Sequence, residues 1–201
     1  ADFFHQQIAQ ISLSADSVAG MAEAAAPVIA GAMMAERRVY SIGTGVDAHI
    51  ARTFCHVIRE GLGTERPSLP ITPLTSDAAD PIDAAAHWIA REIRTLGHPG
   101  DVAVVWGSNL TASGVDSLHS ALTQREVTAF WIGATSPSHS LPFSDANPSV
   151  RLGLCTITAV AMALFLTVHD RREPHCTEPI PNVKRQQIFL CDENNFIHLH
   201  F

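Results

Sequence analysis

Hydrophobic and polar positions along this chain follow two periods. Short apolar runs at 39–43, 68–74, 101–107 and 128–134 read as β-strands, and a weaker fifth run lies near 149–152. Between them, apolar residues recur every three or four positions over 47–60, about 82–96 and 113–124, which predicts helices. Strands that alternate with helices imply right-handed crossovers and a parallel sheet. The run DVAVVWG (101–107) is apolar almost throughout, as a central strand covered on both faces requires.

The ends of the chain follow other rules. Phe3, Phe4, Ile8 and Ile11 stand at roughly helical spacing, and an alanine-rich stretch ending in AERR follows. This predicts one or two helices whose basic C-terminal end complements the helix dipole. The uncharged stretch from Leu152 to Val168 is at the short edge of what a membrane span needs. A helix that is apolar all round also suits the centre of an oligomer, and that reading is preferred here. Beyond it, RREPHCTEPIPNVK reads as a Pro-rich connector. The final RQQIFLCDENNFIHLHF reads as a β-hairpin turning at Asp192-Glu193-Asn194-Asn195. The expected organisation is one α/β domain over 1–170 with an N-terminal helical arm, and an extension over 171–201.

Bulk composition narrows the function. At 201 residues and 46% hydrophobic content, one sizeable core suffices. A formal charge of −7 gives no electrostatic reason for direct nucleic-acid binding. Cys55, Cys155, Cys176 and Cys191 form no CxxC pair, so neither a zinc ribbon nor a disulfide framework is indicated. With no basic-then-apolar leader in view, a cytoplasmic location is expected. No membrane partner, cofactor or metal is expected.

The stretch VYSIGTGVDAHIARTF (39–54) carries the first chemical signal. An apolar strand runs through Gly43, Thr44 and Gly45 into an amphipathic helix, and the free N–H groups of such a helix start form a phosphate cradle. Asp47 stands where the phosphate would arrive. An Asp in this place is expected to cap its own helix. A carboxylate about 4 Å from a phosphate also costs on the order of 1 to 4 kcal/mol, depending on the local dielectric. The loop therefore reads as self-closed.

The loop SIGTG is followed in order by TERPSLP (64–70), TSD (75–77) and RTLGHPGDV (94–102). Together these resemble the sugar isomerase (SIS) domain of the phosphoheptose isomerase group, including its relatives that associate with the replication initiator DnaA. The resemblance implies a three-layer α/β/α sandwich around a five-stranded parallel sheet, assembled as a homodimer or homotetramer. It also implies a sugar-phosphate site at two Ser/Thr-rich loops, after the first and third strands, completed by a neighbouring subunit. Carried over position by position, the site comprises Gly43, Thr44, Gly45 and Asp47 in the first loop. In the second it comprises Ser108, Asn109, Thr111 and Ser113.

The same carry-over removes the chemistry. The phosphate-binding serine of the family falls at Asp47, its catalytic glutamate at Val57 and a helix histidine at Thr53. In the second loop Leu110 replaces a glycine and Ala112 a serine. The third element of the family bears a Gln, a Glu and a His, but here VRLG (150–153) leads into a run with no Glu or His up to Val168. An aldose–ketose isomerase needs an acid and a base that move a proton between adjacent carbons. No catalytic residue is therefore assigned.

Other polar residues have plainer readings. His49 and His56 lie seven apart, too far for the i, i+4 pairing that metal ligation favours. His198 and His200 would share one strand face without a third ligand in view. Trp88, Trp106 and Trp131 are expected to pack in the core or at an interface. The sequence thus favours a non-catalytic SIS protein that binds a carbohydrate derivative such as a sugar phosphate weakly, or serves as an oligomeric regulatory scaffold. Two alternatives stand beside it. One is an isomerase using substitutes among Asp47, His49, His56 and Asp77; the other is an initiator-associating regulator.

Overall fold

The computed structural model of the chain describes residues 2–61, 68–76, 81–136, 138–143 and 148–170. The expected C-terminal hairpin, with His198 and His200, lies outside the described residues, as do Asp77 and most of TERPSLP.

The N-terminal region is one helix, α1 (Asp2–Met34), with Pro27 inside it. Val18, Ala22, Ala25, Ala26, Ile29 and Ala32 form its buried stripe. The small alanines let it lie close against the last helix of the chain. The expected basic C-terminal end is not present, because α1 stops at Met34, before the Arg37-Arg38 pair. Glu36 takes a left-handed backbone (φ 56°) and the Arg37 N–H donates back to the Ala32 carbonyl at 2.8 Å, so the chain leaves the helix there.

The strands are β1 (Val39–Thr44), β2 (Thr72–Ser76), β3 (Val102–Trp106), β4 (Thr128–Gly133) and β5 (Ser140–Pro142). They alternate with α2 (Asp47–Glu60), α3 (Ile82–Leu96) and α4 (Ala112–Gln124), and α5 (Pro148–Asp170) follows. All pairings are parallel, in the order β2-β1-β3-β4-β5. Successive strand residues face opposite layers. Tyr40, Ile42, Ala103, Val105 and Trp131 pack with α3 and α4, while Val39, Val104, Trp106, Phe130 and Ile132 pack with α1, α2 and α5. The result is the three-layer α/β/α sandwich expected from the sequence.

Two strands depart from expectation. The fifth strand is Ser140–Pro142, whereas 149–152 opens α5. Three residues ending in proline carry no strand pattern, and their pairing rests on the Trp131 N–H donating to the His139 carbonyl at 2.9 Å. The second strand begins at Thr72, later than the expected 68. It carries Pro73, which an edge strand tolerates because one side of its ladder is unpaired.

By length and composition, Ile8–Met34 and Val150–Thr167 are apolar enough to cross a membrane. In this fold the second of them packs Leu154, Cys155, Ala159, Met162, Ala163 and Leu166 into the core.

Candidate functional site

The strand order reverses at β1. From it the chain moves outward to β2 and then back across to β3, so the carboxyl ends of β1 and β3 lie side by side. Open parallel sheets bind ligands at such a switch point. The residue pairing Gly43↔Trp106 brings the loop after β1 against the loop after β3.

Close backbone approach requires the glycines here. A Cβ on Gly43 would lie well inside contact distance of the Asp47 carbonyl oxygen, so only glycine lets α2 turn back this tightly. Gly133, at φ 85°, leaves room for the Ser108 backbone in the same way. Gly45 supplies the left-handed turn between Thr44 and Val46.

Asp47 does not cap its own helix as expected. The N-cap position is Val46, already helical in backbone and without a side-chain cap bond. The fully buried Asp47 carboxylate reaches across to the second loop instead. Ser108 Oγ donates to Asp47 Oδ1 at 2.6 Å, and the Asn109 N–H donates to Oδ2 at 3.1 Å. The first turn of α2 still places this acid at the favourable end of a helix dipole.

Burial pushes the Asp47 carboxyl above its ordinary value. The bonds from Ser108 and Asn109 and the charge of Arg151 oppose that shift without cancelling it. Arg151, in the first turn of α5, donates from Nη1 to the Ser108 carbonyl at 3.1 Å. Its Nε, like Thr44 Oγ1, is buried with no partner among the described residues. Sequence reasoning missed Arg151, although a lone cation opening an uncharged run was its signal. Behind it, burial raises the Cys155 thiol strongly, and the nearby Asp47 adds to the effect. No described cysteine is therefore a thiolate here; burial lifts the Cys55 thiol to about 11.

The remaining candidates are dispersed. Thr111 is the N-cap of α4, accepting from the Gly114 N–H at 3.1 Å and donating to Asp83 at the start of α3. Ser113 is exposed on the first turn of α4. Thus Asp47, Ser108 and Asn109 meet, with Gly43 and Gly45 shaping their backbone, while Thr111 is committed to capping.

Val57 and Thr53, to which the resemblance carries a glutamate and a histidine, lie further along α2. Val57 is half-buried on α2 and Thr53 is exposed, as are His49 and His56. Of the tryptophans, Trp106 and Trp131 are core residues, whereas Trp88 is 46% exposed on α3, outside the core. Among the described residues no group of three His, Cys, Asp or Glu side chains is placed to hold a metal.

No family model matches the chain. Among curated relatives, the phosphoheptose isomerase of Halorhodospira halophila is 27% identical, covering 84% of this chain and 88% of that protein. That of Methylococcus capsulatus is 24% identical, covering 73% and 76%. Among solved structures, the phosphoheptose isomerase of Francisella tularensis superposes with a TM-score of 0.70 at 17% identity, covering 83% of this chain and 95% of that one. The enzyme from Neisseria gonorrhoeae gives 0.66 at 17%, covering 84% and 96%. The shared fold and the relatives aligned along most of their length support a SIS-domain, phosphoheptose isomerase-like family for the chain.

Proposed function

We propose that this chain is a non-catalytic member of that family, a soluble cytoplasmic oligomer whose sugar-phosphate pocket is held shut by its own carboxylate. One observation carries the reading. Asp47 takes the Ser108 hydroxyl and the Asn109 N–H, the donors a phosphate would otherwise use, and brings a like charge to the same place. Binding of a carbohydrate derivative is then weak and runs through the groups left over in Gly43–Gly45, the Asn109 side chain and Ser113. The absence of an inherited acid and base at Val57 and Thr53 agrees with this. Self-association is supported by apolar surface. Leu13 is 84% exposed and Ile8 62% exposed on α1, and Ile157, Val160 and Leu164 repeat along α5.

The second reading is an isomerase with substitute groups. It is favoured by the buried Asp47, whose raised carboxyl is closer to the range a proton shuttle needs. Incubation of the purified protein with sedoheptulose 7-phosphate separates the two. No turnover above background is expected, and turnover that vanishes in Asp47→Asn establishes the second reading instead.

A further inference from the structure

A cleft of about 560 Å³ opens at the amino ends of β1 and β2, where the end of α1, the last turn of α2 and residues 68–72 meet. Val39 and Thr72, the first residues of their strands, both line it. It therefore lies at the opposite end of the sheet from the Asp47–Ser108 contact. Its size is within the range of about 300 to 1,000 Å³ usual for small-molecule sites.

Its floor is core that the chain leaves partly uncovered. Val39 and Ile71 are buried members of the layer beneath α1 and α2, and Met33 and Leu69 pack against that layer while remaining only half-buried. A ligand that covers such side chains gains by taking apolar surface out of water. Ser68 and Thr72 add exposed hydroxyl groups at the rim.

Three arginines line the cleft, but they are not equivalent. Arg38 is engaged elsewhere, donating from Nη1 to the Leu96 carbonyl at 3.0 Å, and the Arg37 side chain lies beside Gly100, just before β3. Arg59 stays with the cleft. From the last turn of α2 its Nη2 donates to the carbonyl of Ile71, which holds the guanidinium against the floor. A guanidinium has five N–H donors, so this bond leaves others for a ligand. Among the described lining residues Glu36 is the one acid.

We propose that this cleft binds a small amphipathic anion, an aliphatic chain ending in one carboxylate. The chain lies over Met33, Val39, Leu69 and Ile71, and the carboxylate accepts charge-assisted hydrogen bonds from Arg59. One fixed cation beside an apolar floor selects a single negative charge, and Glu36 on the same lining adds a like-charge cost for a doubly charged head group. A sugar phosphate has no apolar body to place on this floor.

The test follows the methyl resonances of the full-length protein labelled with 13C at its methionine methyl groups, the Met33 signal being assigned with Met33→Leu. Titration with sodium octanoate, below its micelle concentration, is expected to move that resonance saturably and to leave the fully buried Met162 in place. Acetate, the head group alone, is expected to leave Met33 unmoved at the same concentrations. Octylammonium, the same chain with the opposite charge, should bind at least about threefold more weakly. Arg59→Gln removes the cation, and Thr72→Glu adds a like charge at an exposed rim position. Each should weaken the octanoate response by about threefold or more, with circular dichroism confirming that the variant is folded. The proposal is overturned if octanoate gives no saturable movement of Met33, if octylammonium binds as well, or if a folded variant responds like the parent. A response to acetate equal to that to octanoate overturns the role of the apolar floor.

Discussion

The Ser108 hydroxyl donates to the Asp47 carboxylate at 2.6 Å, joining the loop after β1 to the loop after β3. A single side chain thereby fastens the two halves of the switch-point crevice and occupies the Ser108 hydroxyl and the Asn109 N–H.

Replacing Asp47 by serine frees the Ser108 hydroxyl and the Asn109 N–H and withdraws a like charge. Sugar-phosphate affinity, measured by calorimetry, is expected to rise at least about tenfold, equivalent to roughly 1.4 kcal/mol. If the parent protein already binds tightly and the serine variant no better, Asp47 is not what blocks the site.

Asp47→Asn tests the cost of burying the charge. A carboxyl raised in the folded state stabilises fully below its unfolded value and loses that contribution as pH rises through the folded one. The amide keeps an acceptor for the latch but never ionises. The Asp47→Asn protein should therefore unfold at a higher temperature than the parent near pH 7, and the gap should close at acidic pH. A gap that widens on acidification contradicts the assigned cause.

Gly43→Ala places a methyl group against the Asp47 carbonyl. Because the obstacle is backbone, the start of α2 must move, at a cost of about 2 to 3 kcal/mol. Denaturant unfolding measures the loss, and an unchanged midpoint shows that the turn can relax.

Thr111→Ala removes both the α4 cap and the hydroxyl that reaches Asp83. A loss of about 1 kcal/mol is expected. If Thr111 also contributes to a ligand site, binding falls as well, and calorimetry on the same variant reads that separately.

Leu13→Glu, on the exposed face of α1, should lower the sedimentation coefficient toward that of a monomer while leaving helical circular dichroism intact. A coefficient that does not change counts against self-association through this face.

Local pattern was enough to read the layers of this fold. The extents of α2 and α3 and the existence of four strands follow from periodicity, because an amphipathic face or a doubly covered strand leaves its period in the residues themselves. Gly43, Gly45, Asp47, Ser108 and Asn109 were also legible as one crevice, since crossover topology brings the carboxyl ends of neighbouring parallel strands together. Tertiary structure alone decided what Asp47 does. An aspartate at a helix start reads as a cap, and only the pairing of β1 with β3 sets Ser108 close enough to take its carboxylate instead. The fifth strand was hidden for the same reason, because Ser140–Pro142 has no pattern of its own and is held by the neighbouring backbone. Arg151 likewise owes its character to what surrounds it: burial and missing partners are properties of a packed neighbourhood, which no single residue in a sequence carries.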